Sequence, residues 1–586
     1  MKFDVSNQSD SVDITKQDSA RSVSMRRELF GVFGDRQTFE QLRPESDFPH
    51  VFATDKLTIG MRDPDLSTNG WSSTHQADDG TCVIFGECYP PDDVESEAAR
   101  WLYHRYHDHG TEAFASLNGS YLAVLSTPEQ ALVATDPVRS RECFYTDAAE
   151  TRVFGTDAGT VAPVIRRPTI NRDAILEYLH IGVTLGEKTS VQELRRLPMD
   201  SILRDDAVEE LDRFVYNTSQ FAFAEELAER LRRAIERRAR LPGSKGLLLS
   251  AGYDSRALLA QIPEIDCCYT VGNRDAQEVV GARRLARQYE TEHVTFVPDR
   301  RYLHADDRKA RYAQGIKESI HIHHAGYDDA IDADTMYHGL LCDTFLRGHF
   351  TAMDHLEAFG VTVPFGRPDP DPDPVSTLLS KFGYDRDASI ALASNTGLAE
   401  NPETFVWTAV ANEFEAATNR ADSRQNAINA CGIGNQPSMP FHTQIADNYL
   451  GSFLPLDIEL IEWHLATPPG ERTTATFLDA CRELDPSMIE HRPPDRPHHS
   501  YIINEVERFV RHRTPFVRSF DSPWPDRDDM YDRYDLDDHL LSEFEHLHEV
   551  LPARHKLRIH DLASWMRQAA PDAVSELERL LAHPDH

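Results

Sequence analysis

Short apolar runs set between turn clusters dominate the first third of the chain; further on, long amphipathic stretches alternate with brief apolar ones. Residues 1–25 repeat Ser, Asp and Gln without an apolar period and are expected to form a disordered lead-in. Strands are then predicted over 29–33, 81–85, 120–126, 131–135 and 153–155, with helices near 96–107 and 171–179. This pattern predicts an α+β domain built on antiparallel strands over 26–215. From there to 495, helices alternate with apolar runs at 246–250, 266–271, 293–297 and 335–340, which predicts an α/β domain with a parallel sheet. Residues 365–376, rich in Pro and Asp, read as an extended surface insertion. Residues 496–586 carry amphipathic helices, among them 536–550 and 559–568, which cap the second domain or mediate assembly, for instance as a homodimer.

The most chemically suggestive segment is 246–260. Gly246 to Leu249 have the continuous apolar character of a buried parallel strand, and Arg256 to Ala260 begin the period of a packed helix. Between them Ser250, Ala251, Gly252 and Ser255 keep side chains small, so that a polyphosphate can reach backbone N–H groups at the positive helix end. Asp254 is itself an anion and makes sense as a ligand of the Mg²⁺ that accompanies a nucleotide. The loop lacks the Lys followed by Ser or Thr of the Walker type. Read alone, it also fits an ordinary strand-to-helix connection.

Composition narrows the setting. At 586 residues, two folded domains plus extensions are expected. The formal charge of −36, from 97 acidic against 61 basic residues of which only nine are Lys, suits a high-salt cytoplasm that screens carboxylate repulsion, the alternative being an acidic mesophilic protein. No basic footprint for nucleic acid is present, no stretch has the apolar length of a membrane span, and the N-terminus lacks a signal-peptide core, so a cytoplasmic location is expected. Eight scattered Cys without a paired pattern read as reduced interior thiols. The run His321, Ile322, His323, His324 lacks carboxylates at helical spacing and reads as structural or substrate-contacting rather than metal-binding; the Pro-His-His-Ser stretch at 497–500 is equally ambiguous.

The loop resembles that of the ATP pyrophosphatases (PP-loop), with Ala251 in place of one glycine, and residues 29 to 495 as a whole resemble the glutamine-hydrolysing asparagine synthetases. In the first half the resemblance rests on Phe30-Gly31-Val32-Phe33-Gly34, Phe85-Gly86-Glu87-Cys88-Tyr89, Leu117-Asn118-Gly119-Ser120-Tyr121, Ala134-Thr135-Asp136, Cys143-Phe144-Tyr145, Phe154-Gly155-Thr156-Asp157 and Arg196-Leu197-Pro198. In the second it rests on Tyr269-Thr270-Val271-Gly272, Thr291-Glu292-His293, Gly339 to Gly348, Phe453 to Leu460 and Ala466-Thr467-Pro468-Pro469. The resemblance implies an N-terminal nucleophile hydrolase-like sandwich followed by an adenine nucleotide alpha hydrolase-like domain. It also implies that the glutaminase is dead, since Phe30 stands at the position of the nucleophilic Cys and Phe85 at that of an oxyanion-hole Asn.

The expected nucleotide site is Leu249, Ser250, Gly252, Asp254, Ser255, Val271 against adenine, and Gly339. Asp254 and Asp343 are the expected Mg²⁺ ligands, with helix capping the alternative for Asp343. The phosphate-touching Lys that the family carries is missing near 474–479, and Arg472 or Arg347 is the substitute cation, Arg472 being assigned the catalytic role with Asp254 and Asp343. The implied function is an ATP- and Mg²⁺-dependent ligase that adenylates a small-molecule carboxylate, releases pyrophosphate and joins the acyl group to ammonia or another amine. The alternative is a degenerate nucleotide-binding or scaffolding homologue.

Overall fold

The computed structural model describes residues 25–92, 94–304, 307–358, 361–398, 401–494, 503, 504, 507 and 524–584. The expected lead-in, Met25 excepted, and the 497–500 stretch lie outside the described residues.

Side-chain alternation builds the first domain. Along Glu28–Val32 and the residue that follows it, Leu29 and Phe33 enter one apolar cluster while Phe30 and Val32 enter another, so the strand is buried on both faces. It lies inside a six-stranded antiparallel sheet, between Thr58–Arg62 and Val153–Gly155. A second six-stranded antiparallel sheet is built on Gly80–Tyr89 and Asn118–Ser126. Its Val83, Phe85, Leu122 and Val124 meet Leu29, Phe33, Ile59 and Met61 of the first sheet, and that contact is the domain core. The helix Ala98–His109 covers the outer face of the second sheet through Ala99, Leu102 and Tyr106. Phe39 and the short helix Ala158–Val161 pack on the outer face of the first, where Arg172–Ile181 joins the same apolar cluster, giving helix, sheet, sheet and helix layers.

The second domain holds a five-stranded, all-parallel sheet in the order Glu292–Phe296, Cys267–Val271, Lys245–Leu248, Thr335–His338, Leu450–Ser452. Four of these strands are predicted from the apolar runs. The fifth, Leu-Gly-Ser, has a single large apolar residue and so too little pattern to be read from sequence.

The 365–376 insertion needs correction. Met353–Ala358 and Val361–Pro368 pair as a hairpin, and Pro374–Phe382 is a helix whose first residues, Pro374 and Val375, are buried. Asp373 accepts hydrogen bonds from the N–H groups of Val375 (3.1 Å) and Ser376 (3.3 Å), so the last Asp-Pro pair is a helix cap and not an extended repeat. The helix expected over 536–550 is instead broken into Asp537–Leu540 and the short turn Glu545–Leu547, and Leu536, Leu540, Leu541, Phe544 and Leu547 still all reach the core. The neighbouring helix is present as Ala553–Ala569. It packs on Asp307–Ala313, and its Leu557, Ile559 and Trp565 share a cluster with Tyr178 and Leu179 of the first domain.

Buried charges join the domains. Arg238 approaches Glu87 at 3.2 Å and also pairs with Asp457, while Glu87 accepts from the N–H of Phe453 at 2.9 Å.

Candidate functional site

The sheet order, written by position in the chain, is 3-2-1-4-5. The connections therefore run in opposite directions from the first and fourth strands, and the crevice outside the carboxyl ends of such a pair is where open α/β sheets take ligands. Lys245–Leu248 ends there in the loop 249–253 and the helix Asp254–Gln261, and Thr335–His338 ends in the turn 339–341 and the short helix Cys342–Leu346.

Gly339 lets these two ends touch. A Cβ on it would lie 2.9 Å from both Asp254 Cβ and Ser255 N, so a side chain would force the elements apart. Two residues on, Leu341 holds the left-handed conformation at φ 61° and turns the chain into the helix carrying Asp343. The expected small-residue loop is closely self-bonded. The N–H of Ser250 donates to Ser255 Oγ at 3.3 Å, that of Gly252 to Ser250 Oγ at 3.2 Å, and that of Ala251 to the carboxylate of Glu278 at 2.6 Å. From the helix side Arg256, 1% exposed, donates to the carbonyls of Ala251 (2.7 Å) and Gly252 (2.8 Å). Burial lowers the pKa of this guanidinium from its ordinary value. Sequence reasoning passes over Arg256 because nothing in a lone Arg on a helix indicates that it grips backbone carbonyls one turn earlier.

The two expected acids come together around one cation. Arg347 donates to Asp254 at 2.7 Å, and the charges of Asp254 and Asp343 outweigh the desolvation that would lower its pKa, so its charged form is favoured. Asp343 faces His349 at 3.3 Å. Desolvation works to raise the Asp343 carboxyl, but the hydrogen bond and charge of His349 and the charge of Arg347 outweigh it and hold the group below the ordinary carboxylate range.

Arg472 is not part of this group. Its backbone carbonyl abuts Gly348, but its guanidinium is buried, bonds Asn426 and lies 3.0 Å from His464 Nε2 and 5.2 Å from the centre of the Tyr216 ring. Of the two arginines considered as the substitute cation, Arg347 pairs with Asp254, while the Arg472 guanidinium is engaged by Asn426 and His464. Leu249 and Val271 are 3% and 4% exposed; the first bonds Tyr269 and Thr270 through its backbone, and the second ends the Cys267–Val271 strand within the core. Ser255 is 2% exposed beneath the loop.

In the first domain Phe30 is fully buried, its ring 5.7 Å from Phe39 and stacked 6.4 Å from Phe48. Phe85 lies under the guanidinium of Arg141 at 5.2 Å. All eight Cys are buried and free. His323 and His324 are buried against Phe441, and among the described residues no group of three or more His, Cys, Asp or Glu side chains is placed to hold a metal ion. No helix of the described residues is long and apolar enough to cross a membrane.

No family model and no curated protein matches the chain. Two solved structures share 10% identity with it. One is titled the structure of the allosteric regulatory enzyme of purine biosynthesis, with a TM-score of 0.21 over 55% of this chain and 75% of that one. The other is glutamine phosphoribosylpyrophosphate amidotransferase from B. subtilis complexed with ADP and GMP, with a TM-score of 0.20 over 53% and 69%. At these TM-scores the likeness carries no argument, and the reading of the chain rests on its own geometry.

Proposed function

We propose that the chain is an ATP-dependent carbon–nitrogen ligase working at the carboxyl ends of the Lys245–Leu248 and Thr335–His338 strands. A substrate carboxylate oxygen attacks the α-phosphorus of ATP, the bond to the bridging oxygen breaks, and pyrophosphate leaves with the electron pair. An amine nitrogen then attacks the acyl carbon, the acyl–oxygen bond breaks, AMP departs, and the nitrogen gives up a proton. The observation that carries this reading is the meeting of a small-residue loop with Asp254, Asp343 and Arg347 at the switch point of a 3-2-1-4-5 sheet.

Two carboxylates from adjacent strand ends suit Mg²⁺, which takes one or two protein carboxylates and fills its remaining positions with phosphate oxygens and water. Asp254 and Asp343 would hold it, and it would neutralise charge on the leaving pyrophosphate. Arg347 adds a fixed positive charge where the departing phosphates gain negative charge. Few acid or base groups are required, because positioning and charge neutralisation do most of the work in phosphoryl chemistry. The buried Phe30 and Phe85 support ammonia or an external amine as the nitrogen source over glutamine hydrolysed by the chain itself.

A nucleotide-binding or scaffolding role without catalysis is favoured by one observation, the engagement of Arg472 with Asn426 and His464. The readings separate on incubating the protein with Mg·ATP in molar KCl and a panel of carboxylates and amines. The ligase forms AMP and pyrophosphate, and Asp254→Ala loses at least about 10²-fold of that rate. A melting temperature raised by ATP without either product supports a nucleotide-binding role, and no response to ATP at all removes the ligase and leaves only the scaffolding role.

A further inference from the structure

Glu278 stands in the first turn of the helix Gln277–Gln288, and its carboxylate accepts the Ala251 N–H at 2.6 Å. Ser250 and Gly252 in the same loop give their N–H groups to neutral hydroxyls, so Ala251 is where the loop already carries an anion. The helix comes this close because of Gly281. That residue lies one turn further along the same face, and a Cβ on it would sit 2.6 Å from Ala251 Cβ. Arg256 fixes the carbonyls of Ala251 and Gly252, which keeps the loop peptides in one orientation while the carboxylate is seated. A carboxylate and a phosphate oxygen are alternative acceptors for one N–H.

We propose that Glu278 is a built-in competitor for the loop. Its carboxylate holds the Ala251 N–H in the resting protein, and a polyphosphate must displace it to bind. The proposal rests on the nucleotide-site reading above and concerns how that same site is regulated. Removing the carboxylate deletes the competitor and also the negative charge that repels an incoming phosphate.

Calorimetric titration of the full-length chain in molar KCl tests this, with Mg·ATP and, separately, with inorganic pyrophosphate. Glu278→Ala is expected to bind pyrophosphate tighter than wild type by on the order of tenfold or more. Glu278→Gln, which keeps an acceptor but loses the charge, should show a smaller gain. Gly281→Ala keeps the Glu278 side chain but pushes its helix off Ala251, and a gain in the same direction would show that proximity of the helix sets the competition. If wild type binds both ligands and Glu278→Ala binds them equally or more weakly, the carboxylate braces the loop and the competitor is disproved. If no form binds either ligand, the nucleotide-site reading fails and the competitor falls with it.

Discussion

His324 shows at a single residue how burial becomes pH dependence. The side chain is buried beside Phe441, neither ring nitrogen has a hydrogen-bond partner among the described residues, and desolvation with the nearby charge of Lys309 pushes its pKa down to about 3. In the unfolded chain an imidazole titrates at about 6.5. Between those values the unfolded state binds a proton that the native state does not, so stability rises with pH through this window and is lost as pH falls from about 6.5. His324→Phe should therefore flatten the pH dependence of unfolding free energy between pH 6.5 and 4 by up to about 1.4 kcal/mol per pH unit. Chemical denaturation of wild type and variant across that range checks it, and parallel curves would mean that the native imidazole titrates normally. The same scale shows what sequence leaves open. Arg347 and Arg472 are both candidates for the substitute cation in the sequence, yet one lies on Asp254 and the other against Asn426 and His464. Sequence spacing does not say where a long side chain reaches across an interface.

Between elements, the decisive contact is that of Gly339 with the start of the Asp254–Gln261 helix. The distances of 2.9 Å leave no room for a methyl group against backbone atoms, which cannot swing aside as a flexible side chain can. Gly339→Ala is expected to cost about 1–3 kcal/mol of stability and to separate Asp254 from Asp343. Calorimetric melting together with the ATP-induced shift measures both, and a variant with wild-type melting and wild-type shift would show that the two strand ends have slack. Several strands are legible without a structure: Ala131–Thr135 and Val153–Gly155 occupy the predicted positions, and Cys267–Val271 and Glu292–Phe296 are displaced by no more than a residue at each end. Ala131–Thr135, Val153–Gly155 and Cys267–Val271 are buried along their whole length, which keeps them apolar, whereas Glu292–Phe296 lies at the sheet edge and is buried only at Phe296. Leu450–Ser452 and the cap at Asp373 escape sequence reading, since Leu-Gly-Ser offers a single large apolar side chain and a capping Asp looks like any Asp in a Pro-rich stretch.

Across the whole molecule, Glu318 ties the C-terminal helix to the rest. It is 1% exposed, accepts from Arg558 Nε at 2.8 Å and Arg554 Nε at 3.0 Å, and its N–H donates to the carbonyl of Gly182 in the first domain. Glu318→Ala leaves Arg558 buried without its carboxylate and should cost about 3–5 kcal/mol, read as a lowered urea midpoint. An unchanged midpoint would show that the arginine relocates to water. The acidic composition, the change from antiparallel to parallel architecture near residue 216 and the loop at 249–255 are properties of the sequence itself. They are set by local apolar period, side-chain size and charge, each of which acts over a few residues. The 3-2-1-4-5 strand order, the pairing of Arg347 with Asp254 and the seating of Glu278 on Ala251 were decided only in the folded chain. These contacts join residues 27 to 93 positions apart, and which distant groups meet depends on how complete elements pack and on which buried charges must be satisfied together.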